Sequence, residues 1–415
     1  MKRVGLRILM VVCLFGAAPG MASDDDKQPI RFAMPLDFTA VYTFFTDELH
    51  QGMTDYITLV NETGGVDGHL IETMVRDHGN EPQRGIEAYN RARRDGAVMG
   101  IFGSTPVTNA IIPRAMDDEV VIVGGGAGRG DASDGQTFPF AFPALATYWS
   151  QAAALMQYVD EHHGGLEGKR IAHVHIDTPF GREPIAMLEQ LAEREGFDLR
   201  TFAYPPPGSE QSGVWSDVRR YQPDFVTLWG AGGGQAVSAR EAIRNGIAPE
   251  QLLSVLFFAE TDARTAGAER VVGLRRAEAT FVGTDTPTIR KIQESVVEPG
   301  LGEGDPELVG TTYYNLGVAI MATVVEGARL GLEQHDAPLT GPGLRDGLRS
   351  IKDFTAEGLL PPLTFSEADH QGGGYVRISE WNGETWEPVT DWFAAYQDLV
   401  WEQIEVDAAE FRDNQ

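Results

Sequence analysis

The chain has 415 residues, a length that suggests two or three domains rather than one. Hydrophobic residues make up 42% of it and charged residues 23%, so the chain can bury substantial cores and is neither a disordered tail nor a fibre. Acidic residues outnumber Lys and Arg by 61 to 33, and the formal net charge of -28 makes nucleic acid and anionic membranes poor partners.

The first 22 residues have the pattern of a signal peptide. Lys2 and Arg3 precede an apolar run over 8–18, and a small-x-small pattern ends at Ala22, so we predict cleavage after about Ala22. The single cysteine, Cys13, lies inside the apolar run and follows two valines, which favours a cleaved peptide over a lipid anchor. The mature chain then has no cysteine, which excludes thiol catalysis and Cys-ligated zinc.

From residue 30 the apolar pattern alternates between strands and helices. The predicted strands are 30–36, 70–75, 98–102 and 120–123, and the intervening helices are 45–60, 82–94 and one that begins near Pro106. Strands separated by single helices are typical of right-handed βαβ units, so we expect a parallel sheet with helices on both faces.

After residue 143 the same alternation starts again. The predicted helices are 146–161, 184–195, 214–221 and 235–245, and the predicted strands are 170–176, 199–204, 224–229 and 252–258. Two consecutive α/β series of similar size predict two similar lobes.

The remaining residues complete these lobes rather than forming a third. Residues 280–350 are mainly helical, notably 312–332, and short antiparallel strands are predicted at 363–365, 375–381 and 386–389. The chain is then expected to cross between the lobes near Phe142, Phe281 and Phe354. The predicted divisions are an N-terminal lobe of 23–142 and 281–353, a C-terminal lobe of 143–280 and 354–393, and a helical tail over 394–415.

Several segments carry a family resemblance. They are IRFAMPL at 30–36, NETGGVDG at 61–68, VRD at 75–77, FGSTPVTN at 102–109, DFV at 224–226 and FAE at 258–260. In this order and spacing, the sequence from about 30 to 392 resembles the type I periplasmic solute-binding proteins of branched-chain amino acid ABC transporters. The resemblance implies an α/β fold with two Rossmann-like lobes joined by three crossovers, and a central cleft that closes on a small solute and presents it to permease subunits in the periplasm.

Hydroxyl residues follow the strand that ends at residue 102. Ligands of doubly wound sheets bind beyond the carboxyl ends of strands, where helix N-termini present free N–H groups. Ser104, Thr105 and Thr108 are therefore candidates for binding a carboxylate. Alternatively, Thr105 only caps the helix that begins near Pro106.

The turn after residue 123 is rich in glycine. The resemblance implies that backbone N–H groups of Gly126, Ala127 and Gly128 meet a ligand carboxylate, with Gly128 standing where relatives carry a hydroxyl. Arg129 either pairs with an anion or is solvated. No register of the turn fits GxGxxG, so we do not predict a nucleotide site.

Five further positions are assigned to the cleft through the resemblance. Tyr42 packs either on the ligand or in the core, and Phe180 and Ala231 stand where relatives carry tyrosines. Trp229 adds an apolar wall, and Glu260 stands where the family's acidic residue receives an ammonium group. We predict that the solute is a branched-chain amino acid-like molecule or a related carboxylate. Loss of both tyrosine hydroxyls weakens the amino-acid hypothesis, and an aromatic acid, an amide or a urea is the alternative.

Other constellations give weaker signals. His173 and His175 share one face of a strand, as metal ligands would, but buried structural histidines are commoner. The sequence has no GxSxG, HExxH or P-loop motif, so an exported hydrolase is disfavoured. We predict a monomeric binding protein with no cofactor and no catalytic step. A ligand-sensing receptor subunit is the alternative, and neighbouring genes would separate the two.

Overall fold

The first of two sheets is entirely parallel and has the strand order β2-β1-β3-β4-β5. The computed structural model describes residues 27–124 and 128–414, so the predicted signal peptide, Gly126 and Ala127 lie outside the described residues. The strands of this sheet are β1 (Ile30–Leu36), β2 (Ile71–Asp77), β3 (Ala97–Ile101), β4 (Val121–Val123) and β5 (Ala141–Phe142).

The second sheet has the order β12-β11-β10-β9-β8-β6-β7. Its strands are β6 (Arg170–Ile176), β7 (Asp198–Tyr204), β8 (Phe225–Trp229), β9 (Leu252–Ser254), β10 (Arg275–Glu278), β11 (Arg377–Trp381) and β12 (Trp386–Pro388). Strands β6 to β10 pair in parallel, whereas β11 and β12 are antiparallel to their neighbours. The predicted α/β fold with two lobes is confirmed, and we call the lobe built on each sheet the first and the second lobe.

Helices cover both faces of the sheets. In chain order they are α1 (Thr43–Glu62), α2 (Pro82–Arg94), α3 (Thr105–Asp118), α4 (Tyr148–His162), α5 (Pro179–Arg182), α6 (Ile185–Glu195), α7 (Ser212–Tyr221), α8 (Gly233–Arg244), α9 (Glu260–Ala266), α10 (Pro287–Ile292), α11 (Thr312–Gln334), α12 (Gly341–Arg349) and α13 (Gln397–Asp413). Strand β4 shows why two layers form. Val121 and Val123 join the core cluster that contains α1 and α11, whereas Ile122 faces the cluster of Val107 and Ile111 in α3.

Helix α11 is the one helix in the described residues that is long and apolar enough to cross a membrane. However, 78% of its most apolar window is buried inside the protein. A Cβ on Gly52 of α1 would lie 2.1 Å from the Tyr314 carbonyl oxygen, and a Cβ on Gly317 would lie 2.2 Å from that of Leu49. Because glycines let the two backbones touch, α1 and α11 pack as a pair in the core of the first lobe.

Most predicted elements are confirmed, but β5 and α9 were not predicted, and there are further differences. Strand β10 lies in a segment for which no strand was predicted, and β9 ends at Ser254 rather than at residue 258. Residues 363–365 form an isolated bridge between Leu363 and Phe354 instead of a strand. The predicted tail helix is present as α13. The lobe boundaries stay a prediction.

Candidate functional site

A cavity of about 20 Å³ lies between the two lobes. Every residue that lines it follows the carboxyl end of a strand, the place where parallel α/β sheets bind ligands. The lining residues are Tyr42, Phe44 and Phe45 after β1, Gly103, Ser104 and Thr105 after β3, Gly124 after β4, Tyr148 after β5, Phe180 after β6, Ala231 after β8 and Phe257 after β9.

Aromatic rings from both lobes form the walls of this cavity. The ring of Phe257, from the second lobe, lies 5.7 Å from that of Phe45 in the first lobe. It lies at the same 5.7 Å distance from the Phe180 ring, which in turn lies 5.0 Å from the Tyr148 ring. Tilted and edge-to-face contacts of this kind hold the rings in fixed orientations. The walls therefore suit an apolar ligand body.

Hydroxyl groups lie at one end of the cavity, at the N-terminus of α3. Ser104 caps this helix, because its Oγ accepts a hydrogen bond from Val107 N at 3.4 Å, and it donates to Asn80 Oδ1 at 2.7 Å. The expected cap, Thr105, is instead the first helical residue, so that prediction is wrong by one position. Burial raises the pKa of the Tyr148 phenol well above its ordinary value. A hydrogen bond with the Thr105 hydroxyl lowers this pKa by a smaller amount.

Tyr42 is held in place by the turn that follows β1. Its backbone N donates to Asp37 Oδ2 at 2.8 Å, and Ala40 N donates to Asp37 Oδ1 at 2.7 Å. Burial and, second, the Asp37 charge raise the pKa of the Tyr42 phenol, which therefore stays protonated. Its ring lies 5.9 Å from that of Phe45, so Tyr42 both lines the cavity and packs on its wall.

The lining of the cavity has no charged side chain among the described residues. A ligand ammonium group would therefore lose its hydration without gaining an ionic partner, which is costly in a cavity with apolar walls. A carboxylate could instead accept hydrogen bonds from the hydroxyls at the α3 N-terminus, where the helix dipole also favours an anion.

Four predicted residues lie outside this lining. Thr108 and Gly128 line a neighbouring cavity of about 10 Å³, which shares Gly124 with the first. Trp229 is fully buried, with its ring 6.0 Å from the Tyr148 ring. The fourth residue, Glu260, is described next.

Glu260 contacts the N-terminus of α11. Its Oε1 accepts a hydrogen bond from Thr312 Oγ1 at 2.8 Å, and its Oε2 accepts one from Thr312 N at 3.4 Å. Thr312 is the first residue of α11, so the carboxylate satisfies a backbone N–H that has no partner within the helix. Glu260 therefore has a structural partner of its own in the closed arrangement.

Arg129 has an unexpected environment. Its Nε and Nη2 donate to the two Asp131 carboxylate oxygens at 2.7 and 2.6 Å, and its guanidinium lies over the Phe138 and Phe411 rings. These contacts fix Arg129 at the end of α13, so it is not a solvated arginine, and its pairing with a ligand anion stays a prediction.

The two strand histidines are buried side by side. Their rings stack at 5.1 Å, and the His173 nitrogens lie 2.8 Å from Thr227 Oγ1 and 3.2 Å from the Gly181 carbonyl oxygen. Burial, followed by the neighbouring His175, lowers the pKa of His173 to about 3. Within residues 27–124 and 128–414, no group of three or more His, Cys, Asp or Glu side chains could hold a metal ion.

Sequence reasoning missed four aromatic residues of the lining: Phe44, Phe45, Tyr148 and Phe257. Phe44 and Phe45 follow the predicted strand β1, so the rule that placed Ser104 would have found them, whereas Tyr148 follows β5, for which no strand was predicted. Phe257 was concealed because residues 252–258 were predicted to be one continuous strand.

The family is decided by a match over most of the chain. Residues 29–385 match the family model for periplasmic binding proteins. The chain belongs to this family. The family is extracytoplasmic, and its fold is the two-lobed type I fold described above. A comparison with curated proteins gives no match.

Solved structures agree with this assignment. One described as an ABC transporter permease from the Pseudomonas fluorescens group is 29% identical, with a TM-score of 0.85, and the match covers 93% of this chain and 97% of that one. A branched chain amino acid ABC transporter from Thermus thermophilus with bound valine is 18% identical, with a TM-score of 0.79 and coverages of 91% and 98%. A fatty acid ABC transporter substrate-binding protein from Thermomonospora curvata is 21% identical, with a TM-score of 0.75 and coverages of 90% and 94%. This periplasmic binding protein thus shares its fold with substrate-binding components of ABC transporters.

Proposed function

We propose that this periplasmic binding protein captures a small solute with an apolar body and one carboxylate, and delivers it to the permease of an ABC importer. One observation carries the proposal. The cavity between the lobes has aromatic walls from both sides, hydroxyls at the α3 N-terminus and no charged side chain in its described lining.

The polar end supports an anion rather than a cation. Helix α3 has 14 residues, and its first turn presents backbone N–H groups and the Thr105 hydroxyl toward the cavity. A hydrogen bond to a charged group contributes about 1.5–3 kcal/mol, so one hydroxyl and the helix N-terminus suffice to select a carboxylate over its uncharged amide.

The walls support an aromatic or branched aliphatic body. The cavity is small, about 20 Å³, so a solute with an apolar body must move the ring walls apart as it binds. The Glu260 carboxylate is hydrogen-bonded to Thr312, so an ammonium group has no acidic partner in the lining. We therefore favour an aromatic or aliphatic acid over the corresponding amino acid.

Capture proceeds by closure of the lobes. The ligand bridges rings of both lobes, such as Phe45 and Phe257, and therefore stabilises only the arrangement in which these rings face each other. Export through the predicted signal peptide places this step in the periplasm, where the closed form meets the permease.

Matched ligands test the proposal. The mature protein is titrated calorimetrically with 3-phenylpropanoate, its amide and phenylalanine, and with 4-methylpentanoate, its amide and leucine. We expect each carboxylate to bind more tightly than its two analogues, and at 100 times its Kd to raise the free energy of unfolding by about 2.7 kcal/mol. Tighter binding of phenylalanine or leucine than of the matching acid would contradict the proposal.

A further inference from the structure

Helix α13 follows the segment that the family model matches. The family match ends at residue 385, whereas α13 covers Gln397–Asp413. Its 17 residues span about 26 Å, which is long enough to reach from one lobe to the other. We propose that α13 is a strap that connects the two lobes and holds them in the closed arrangement.

The N-terminal half of α13 packs on the second lobe. Val400 and Ile404 are fully buried in the main core cluster. Asp398 Oδ2 lies 2.5 Å from Arg194 Nη1 of α6, and Gln403 hydrogen-bonds to Gln190 of the same helix. This half is therefore attached through both apolar and polar contacts.

The C-terminal half packs on the first lobe. Ala408 is fully buried in the core cluster of the first lobe, together with Val107 of α3 and Phe138. The Phe411 ring lies 4.5 Å from the Phe138 ring, and the Arg129 guanidinium lies 4.5 Å from the centre of the Phe411 ring. Hinge opening moves the two lobes apart, so it must break the contacts of one half.

The strap borders the cleft next to the ligand site. A chamber of about 500 Å³ is lined by Phe411 and Asp407 of α13, by Thr105 of the first lobe and by Trp149 of the second. Thr105 also lines the ligand cavity. Helix α13 therefore covers the side of the cleft on which the polar end of the ligand cavity lies.

The ring contact of Phe411 is the place to break the strap. Phe411 joins the first lobe through a ring pair and a cation–π contact, and the additional ion pair of Arg412 with Asp134, at 3.3 Å, is exposed. Phe411→Ala removes the aromatic contacts and leaves the second-lobe half unchanged. On the same helix, Val406 is 56% exposed, which makes Val406→Ala the matched control.

The test measures the distance between the lobes in the ligand-free mature protein. Because the mature chain is predicted to lack cysteine, spin labels are attached at Glu87→Cys on α2 and Asp217→Cys on α7, and pulsed electron resonance records the distance distribution. We expect wild type and Val406→Ala to give one short distance, and Phe411→Ala to raise the population of a longer distance at least threefold. An unchanged distribution for Phe411→Ala would overturn the proposal.

A second variant guards against loss of folding. Arg412→Ala removes an exposed contact only, so it keeps the fold and is expected to shift the distribution in the same direction by a smaller amount. A distribution in Arg412→Ala that is identical to that of the control would count against the strap. The measurement needs no ligand, so its outcome is separate from the solute proposed above.

Discussion

Replacing Thr105 with valine tests the polar end of the cavity. The change keeps the branched shape of the side chain and removes its hydroxyl, and the helix cap is unaffected because Ser104 provides it. Loss of a hydroxyl that donates to a carboxylate costs about 1.5–3 kcal/mol, which corresponds to a roughly 10- to 100-fold higher Kd. Since the Tyr148 phenol remains beside the site, we expect a value near the lower end of that range.

Calorimetric titration with 3-phenylpropanoate measures the effect. The control is Thr323→Val, which removes a hydroxyl that is bonded within α11 to the Ala319 carbonyl oxygen. We expect this control to bind like wild type, and Thr105→Val to lose most of its affinity for the acid and little for the uncharged amide. Equal affinity of Thr105→Val and wild type for the acid would refute the role assigned to the α3 N-terminus.

Three further substitutions test the electrostatics. Burial raises the pKa of Glu183 to about 8, so the native protein keeps a proton that the unfolded chain loses. The stability that this proton gives the native protein is therefore present in acid and is lost as the pH rises from about 4.5 to 8. Glu183→Gln should flatten this part of the plot of unfolding free energy against pH, measured by urea unfolding. Glu260→Gln weakens the hydrogen bond that Glu260 accepts from Thr312, so we expect it to lower the free energy of unfolding by about 1–2 kcal/mol. The order of ligand affinities should not change. Arg276→Met, at a fully buried ion pair, should cost about 3–5 kcal/mol in chemical denaturation.

The elements that sequence predicted well are those with local signals. Strands β1 and β6 are apolar runs, and α2 begins at Pro82 after an extended residue, so their bounds were found from a few neighbouring residues. Strand β10 has the sequence RRAE and gives no such signal. It is buried because Arg276 pairs with Glu278, which also accepts a hydrogen bond from Arg377, 99 residues further along the chain.

The same distinction applies to the candidate site. The rule that ligands bind at carboxyl ends of strands identified Ser104 and Thr105, because both follow a recognisable strand. It failed for Phe257, since nothing in the apolar run over 252–258 shows that β9 ends at Ser254. For Glu260, sequence gave the residue type but not its partner, the first residue of a helix 52 positions away.

A crystal structure of the mature protein with 3-phenylpropanoate is the most direct test of capture between the lobes. The account predicts density for the phenyl ring against Phe45 and Phe257, with one carboxylate oxygen within hydrogen-bonding distance of the Thr105 hydroxyl. Density for the acid on the outer surface of either lobe, with the cavity occupied only by water, would contradict it.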